Sequence, residues 1–372
     1  MIRTGAWIRT GALLLAGIGL AVTAGAVAIA VAAEAATAMD SAVILQYEQI
    51  GERIGDEAGP ASGVTPAQFE QHLAYLEAAG YSVWPVEKIV AHLQTGIPLP
   101  ERCVAITFDG AHTSVYDVAY PALRKRGWPF SVFLGTEKVD LYIPGTLTWE
   151  QMRVMRSDGV KFGTQGHSGA HLIRRSRGES EEDWRARVQE DISYCRGRAF
   201  EQLSQTTTFF AYPYGEYDPA LREVVLGFRF TGLGKQPGAV WSGSDFGALP
   251  RCVMTGASAT PEEFARRVAS RPLPVSAAEP ADPVLGADET RPVLRLTLDP
   301  GDYAPETLTA FVQQPGDLEL RWIDRERGIL ELQARDPLPI GRSLYNLSAP
   351  AATGGRESLY SHLWIRGDRY PD

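Results

Sequence analysis

The chain has 372 residues, of which 44% are hydrophobic and 22% charged, a composition typical of a globular protein large enough for two domains. Its formal net charge of −9 argues against a nucleic-acid partner, because phosphate binding depends on clustered Lys and Arg. The cysteines, Cys103, Cys195 and Cys252, are widely spaced and fit neither a disulfide framework nor a zinc motif.

Residues 1–38 are typical of a signal peptide or an N-terminal membrane anchor. Arg3 and Arg9 precede an uncharged stretch, residues 10–33, and the segment 36–38 reads Ala-Thr-Ala, the A-x-A form of a cleavage site. The uncharged stretch is also long enough to span a bilayer. Both interpretations predict an exported chain that is either periplasmic or anchored in the membrane and facing the periplasm.

Residues 42–270 alternate between strand-like and helix-like segments. Strands are predicted at 42–47, 103–108, 129–135, 160–164, 207–215, 228–233 and 248–254, and helices at 65–81, 86–93, 115–127, 148–159, 180–204 and 260–270. Thr65 and Thr148 each begin a helix with the T-x-x-Q pattern of a capping box. About seven β/α units without a Gly-rich nucleotide fingerprint favour an α/β barrel over a Rossmann sheet.

The remainder of the chain has a different pattern. Residues 271–292 are rich in Pro and Ala and lack apolar periodicity, which predicts a linker. Residues 293–372 contain short alternating segments separated by turn residues, which predict a small antiparallel β-domain of the sandwich type.

Four stretches carry the chemical signal. They are ITFDGAHTS (106–114), GTQGHSGAHL (163–172), FFAYPYGEYD (209–218) and ALPRCVM (248–254). In this order they resemble the NodB-homology polysaccharide deacetylases, carbohydrate esterase family 4, over residues 42–270. The likeness is greatest to the exported branch that deacetylates poly-N-acetylglucosamine. The resemblance implies a distorted (β/α) barrel of NodB type that holds a divalent metal such as zinc through one Asp and two His.

The resemblance assigns roles to individual residues. Asp109 matches the general base of the family, and Arg251 matches a residue that could orient Asp109. Tyr214 lies in the segment that binds the oxyanion, and Tyr212 and Tyr214 are the predicted substrate-binding residues. The metal-binding Asp of the family falls on Gly110, which has no side chain.

The histidine motif can be aligned in two ways. Counted from Gly159 without a gap, the two metal-binding His positions fall on Gln165 and Gly169. With a two-residue insertion they fall on His167 and His171. A third possibility is a metal site rebuilt from His112, His167 and His171. No His lies between His171 and His362, so the late catalytic acid of the family is absent.

Two functions are consistent with these residues. The first is a protein that binds or acts on N-acetylated amino-sugar polymers without a cofactor and without the metal-dependent hydrolysis of the family. The second is an active N-deacetylase with a rearranged metal site.

Overall fold

A computed structural model describes residues 40–51, 63–286, 288–313, 316–351 and 355–367. The predicted signal peptide or anchor at 1–38 lies outside these residues. Among the helices of the described ranges, none is both long and apolar enough to cross a bilayer.

The first part of the fold is built from strands and helices in alternation. The strands are β1 Ser41–Tyr47, β2 Gln49–Ile50, β3 Gly63–Val64, β4 Ser82–Val83, β5 Cys103–Asp109, β6 Ser131–Leu134, β7 Lys161–Thr164, β8 Phe209–Ala211, β9 Thr231–Leu233, β10 Val240–Trp241 and β11 Cys252–Val253. The α-helices are α1 Pro66–Ala78, α2 Val86–Thr95, α3 Tyr120–Lys125, α4 Thr136–Asp140, α5 Trp149–Ser157, α6 Glu181–Leu203, α7 Pro219–Gly227 and α8 Pro261–Val268. A π-helical turn spans Val115–Ala119, and 3₁₀ turns span Pro213–Gly215, Gly256–Ala259 and Pro305–Thr307.

One curled sheet organises this part. Its strand order is β10-β1-β5-β6-β7-β8-β9, with β11 also paired to β1 and β4 to β5. The pairs from β1 through β5, β6, β7 and β8 to β9 are parallel. The strands are buried on both faces, as expected where helices cover a parallel sheet. The predicted distorted (β/α) barrel is therefore confirmed.

Local sequence signals set the helix ends as predicted. The Thr65 hydroxyl accepts the Gln68 N–H at 3.1 Å, and the Gln68 side chain accepts the Thr65 N–H at 3.0 Å. Thr148 and Gln151 form the same reciprocal box at the start of α5. Each box satisfies two backbone donors that a helix start would otherwise leave unpaired.

The C-terminal part consists of two four-stranded sheets. Its strands are β12 Arg271–Pro272, β13 Val275–Glu279, β14 Val293–Leu298, β15 Thr309–Val312, β16 Leu318–Asp324, β17 Ile329–Ala334, β18 Gly341–Pro350 and β19 Glu357–Arg366. The sheets have the orders β12-β19-β18-β15 and β13-β14-β17-β16. Buried side chains from both sheets, including Leu296, Leu332 and Trp364, share one apolar cluster. The predicted antiparallel β-region is thus confirmed as two sheets packed around a common core.

The prediction that residues 271–292 form a linker is wrong. Arg271 and Pro272 pair in parallel with Ser358 and Leu359, and β13 pairs antiparallel with β14. Leu273 and Leu285 are buried in the cluster of the two sheets. Backbone pairing needs no apolar periodicity. A Pro- and Ala-rich segment can therefore form edge strands even though its composition predicts a loop. The described residues from Asp40 onward belong to one compact unit.

Candidate functional site

Asp109 and Arg251 form a buried ion pair at the carboxyl end of β5. Asp109 is 3% exposed and Arg251 0%. The guanidinium donates from Nη1 to Oδ1 at 2.6 Å and from Nη2 to Oδ2 at 2.8 Å, while its Nε donates to the Gly234 carbonyl at 2.8 Å. This two-point geometry fixes the plane of the carboxylate. Arg251 thus lies where it can orient Asp109, while the catalytic role of either residue stays a prediction.

A second cation lies beside the same carboxylate. The Lys235 ammonium is 2.5 Å from Glu48 Oε1 and 3.6 Å from Asp109 Oδ2. The Lys235 side chain is 11% exposed and the Glu48 side chain 29%. Glu48 directly follows β1 and Lys235 follows β9 by two residues, so both lie at the carboxyl edge of the sheet. The site therefore holds two carboxylates and two cations within a few ångströms of each other.

Sequence reasoning missed Lys235 and did not assign Glu48 a role. Their positions in the sequence could have identified them, because a charged residue just after a parallel strand lies at the edge of the sheet where α/β proteins bind ligands. Gly215 makes room for the lysine. A Cβ at Gly215 would lie 2.6 Å from Lys235 Cβ, and its φ of +68° also favours glycine.

Gly110 and Gln165 form the floor next to Asp109. The Gly110 N–H donates to the Phe133 carbonyl and to Gln165 Oε1, each at 3.0 Å. The φ of Gly110 is +77°, and a Cβ there would lie 3.0 Å from His112 Nε2. Gln165, the residue after β7, therefore contacts the backbone next to Asp109, while the alignment without a gap stays a prediction.

Among the described residues, the three candidate histidines do not form a group that could hold a metal ion, although His112 and His167 line the same pocket as Asp109. His167 Nδ1 is 2.9 Å from the Thr136 hydroxyl, and the His167 ring lies 4.4 Å from that of Tyr194. His171 Nδ1 is 2.6 Å from Glu216 Oε2. Burial lowers the pKa of His112, an effect that Glu48 partly opposes, so a neutral imidazole is favoured there.

The two predicted substrate-binding tyrosines have different environments. Tyr214 is 47% exposed in the turn Pro213–Gly215, has a φ of 58°, and stacks on His171 with ring centroids 3.8 Å apart. Tyr212 is 0% exposed, and its hydroxyl donates to the Gly247 carbonyl at 2.7 Å. The prediction that Tyr212 binds substrate is therefore wrong. Residues two apart in an extended segment would face the same side, so it is the turn Pro213–Gly215, with its positive φ at Tyr214, that directs Tyr214 outward while Tyr212 stays in the core.

These residues surround a pocket of about 230 Å³, which we call the Asp109 pocket. Its lining comprises Glu48, Asp109, Gly110, Ala111, His112, Gly135, Lys138, Thr146, Gln165, His167, Ser168, Gly169, Pro213, Tyr214 and Lys235. Arg251 does not line the pocket, and its guanidinium instead binds the carboxylate of Asp109, which does.

The donor set does not fit the metal site that the resemblance implies. In the alignment without a gap, the three ligand positions hold Gly110, Gln165 and Gly169, none of which has an imidazole or carboxylate. The described residues contain no group of three or more His, Cys, Asp or Glu side chains arranged to hold a metal ion. The Lys235 ammonium, 3.6 Å from Asp109, would also repel a divalent cation at that place.

Known proteins are similar to the barrel part of the chain. A family model described as polysaccharide deacetylase matches residues 96–232. YxkH of Bacillus subtilis, named as a polysaccharide deacetylase, is 28% identical over 211 residues, which are 56% of this chain and 69% of that protein. The poly-beta-1,6-N-acetyl-D-glucosamine N-deacetylase of Staphylococcus aureus is 22% identical over 176 residues, 45% of this chain and 60% of that one.

A solved structure has the same fold. The Streptococcus pyogenes deacetylase PplD, in complex with acetate, aligns with a TM-score of 0.55 at 22% identity. The alignment covers 62% of this chain and 99% of that one.

Proposed function

Since the chain carries a domain of the polysaccharide deacetylase family, we propose that it binds N-acetylated amino-sugar polymers in the Asp109 pocket without metal-dependent hydrolysis. The similarity to a poly-beta-1,6-N-acetyl-D-glucosamine N-deacetylase supports this substrate class. The pocket lies at the carboxyl edge of the parallel strands, where barrels of this kind bind their ligands.

The lining groups suit a neutral, hydroxyl-rich ligand with an acetamide. The Lys235 ammonium can donate to an acetamide carbonyl or a hydroxyl, and the Glu48 carboxylate can accept from a hydroxyl or an amide N–H. Tyr214 offers an exposed aromatic ring at the rim, which can pack against the apolar face of a pyranose. These contacts bind and orient a sugar unit, and none of them requires a metal.

The position of the Lys235 ammonium is the single observation on which the proposal rests. Its ammonium brings a fixed positive charge to Asp109 and Glu48, at the strand ends where the family places a metal. A polarised acetamide carbonyl can therefore be held by a side chain of the protein. An ammonium does not supply the metal-activated water that hydrolysis in the family uses, so binding is favoured over turnover.

We propose further that the protein binds the polymer outside the cytoplasm. The support is the sequence of residues 1–38, with its two arginines, uncharged core and A-x-A segment. Expression of the full chain with a C-terminal tag tests this. Mass spectrometry of the product should give a mature N-terminus after Ala38, or an intact chain in the membrane fraction. A full-length chain in the cytosolic fraction would contradict export.

The function itself is tested by calorimetric titration with β-1,6-linked N-acetylglucosamine oligomers and their de-N-acetylated forms. The acetylated oligomer should bind more tightly. Lys235→Met should weaken its binding about tenfold, the scale of a hydrogen bond to a charged group. Lys161→Met is the matched control, because Lys161 is exposed at the opposite end of β7. It should leave the affinity unchanged.

The same samples separate binding from catalysis. We expect no stoichiometric metal by elemental analysis and no acetate released from the acetylated oligomer. One bound zinc per chain together with acetate release would instead establish the active deacetylase with a rearranged metal site. Equal affinities of wild type and Lys235→Met would contradict the role given to the ammonium.

A further inference from the structure

Tyr194 is an exposed aromatic residue beside the Asp109 pocket to which the proposed function gives no role. It lies on α6 and is 51% exposed. Its ring centroid is 4.4 Å from that of His167, and the two ring planes are inclined at 59°. His167 itself lines the pocket. The exposed surface of Tyr194 is therefore continuous with the wall of the pocket through the imidazole of His167.

The segment that carries His167 is fixed to α6 by Asp191. The Asp191 carboxylate accepts the His167 N–H at 2.8 Å and the N–H of the following residue at 2.9 Å. A Cβ at Gly166 would lie 2.2 Å from Asp191 Oδ1, so a side chain there would collide with the carboxylate. The Thr136 hydroxyl, 2.9 Å from His167 Nδ1, holds the imidazole itself. Since Asp191 and Tyr194 are three residues apart on one helix, the two rings are held together before any ligand binds.

The Asp109 pocket is small for a polymer. Its volume of about 230 Å³ lies below the ~300–1,000 Å³ that is typical of sites for drug-sized ligands, so we expect it to hold about one sugar unit. The units on either side of that one must then lie against the surface around the opening. An exposed aromatic ring at that place can pack against the apolar face of a pyranose, as Tyr214 can at the rim.

Exposure by itself does not make Tyr194 a binding residue, because single exposed hydrophobic side chains are ordinary on protein surfaces. Phe200 on the same helix is 59% exposed. What distinguishes Tyr194 is its ring contact with a residue that lines a pocket and whose backbone and imidazole are both held by hydrogen bonds.

We propose that the rings of Tyr194 and His167 form a second sugar subsite, which binds the unit of the polymer next to the one in the Asp109 pocket. The subsite depends on the proposed function, because it is filled by a ligand that already occupies the pocket. The pyranose packs on the exposed face of Tyr194, and its hydroxyls stay in contact with water. Stacking of this kind needs only the sugar ring, so the subsite makes the affinity depend on the length of the saccharide.

Calorimetric titration of the full chain with N-acetylglucosamine and with its β-1,6-linked dimer tests the subsite. The dimer should bind wild type about tenfold more tightly than the monosaccharide, the scale of one aromatic contact. Tyr194→Ala should abolish this gain and leave the affinity for the monosaccharide unchanged. Tyr194→Phe retains the ring and should retain the gain, and its loss in that variant would contradict stacking.

Phe200→Ala is the matched control and should change neither affinity. Phe200 lies on the same helix, about 120° from Tyr194 around the axis, because successive residues of an α-helix turn by about 100°. Lys235→Met should weaken the monosaccharide and the dimer by the same factor, since Lys235 lines the pocket that holds the unit common to both.

The possible failures are distinguishable. Equal affinities of wild type for the monosaccharide and the dimer, or a gain that survives in Tyr194→Ala, would overturn the subsite and leave the Asp109 pocket as a site for one unit. Unchanged affinities in Lys235→Met with the Tyr194-dependent gain intact would instead contradict the role of the ammonium and support the subsite. Absence of binding by either saccharide would contradict both proposals.

Discussion

Removing either partner of the buried pair Asp109–Arg251 is expected to destabilise the barrel part strongly. Both residues are almost completely buried and are joined by two hydrogen bonds of 2.6 and 2.8 Å. Removing one partner of a buried pair leaves an uncompensated charge, at a cost of about 3–5 kcal/mol. The loss of unfolding free energy for Arg251→Met should be near the lower end of this range, because Lys235 still lies 3.6 Å from Asp109 and partly neutralises its charge. The loss for Asp109→Leu should be near the upper end, since the two cations Arg251 and Lys235 then lie close together without the carboxylate between them.

The double variant Asp109→Leu with Arg251→Met distinguishes the pair from its parts. Apolar residues of similar volume can replace a buried ion pair at little cost, so the double variant should lose at least about 2 kcal/mol less than the sum of the single losses. The assay is urea unfolding followed by tryptophan fluorescence and circular dichroism. Arg185→Met is the control, because Arg185 pairs with Glu223 at the surface and should contribute under about 1 kcal/mol.

Two results would refute this reasoning. Losses under about 1 kcal/mol in both single variants would mean that water reaches the pair and screens it. Additive losses in the double variant would mean that the two side chains stabilise the fold independently of each other.

Two further predictions concern the metal positions and the pH dependence of stability. A variant that combines Gly110→Asp, Gln165→His and Gly169→His should bind zinc only weakly. Adding Lys235→Met should tighten zinc binding at least about tenfold, because it removes a nearby positive charge. Competition with a chromophoric chelator measures both affinities, and equal affinities would contradict the prediction. The buried His72 has its pKa lowered by desolvation, so the unfolded chain takes up the proton first and stability should fall as the pH drops below about 6.5. His72→Phe should lose less stability than wild type between pH 7.5 and 5 in urea unfolding, and parallel losses would exclude His72 as the cause.

The sequence determined the local architecture of this protein. Alternating apolar and amphipathic segments predict the strands and helices of the barrel part, because burial of apolar surface at a period of 2 or 3.6 needs no knowledge of distant residues. The same holds for the capping boxes at Thr65 and Thr148, which involve residues three apart. The position of Asp109 at a strand end and the empty side-chain position at Gly110 could also be read directly from one motif.

Only the tertiary structure decided which groups meet at the site. Glu48 and Lys235 are far apart in the chain and come together with Asp109 because β1, β5 and β9 all end at the same edge of the curled sheet. The burial of Tyr212 follows from the packing of β8 and could not be read from its motif. The pairing of residues 271–279 with β14 and β19 depends on backbone hydrogen bonds, which cannot be inferred from side-chain composition.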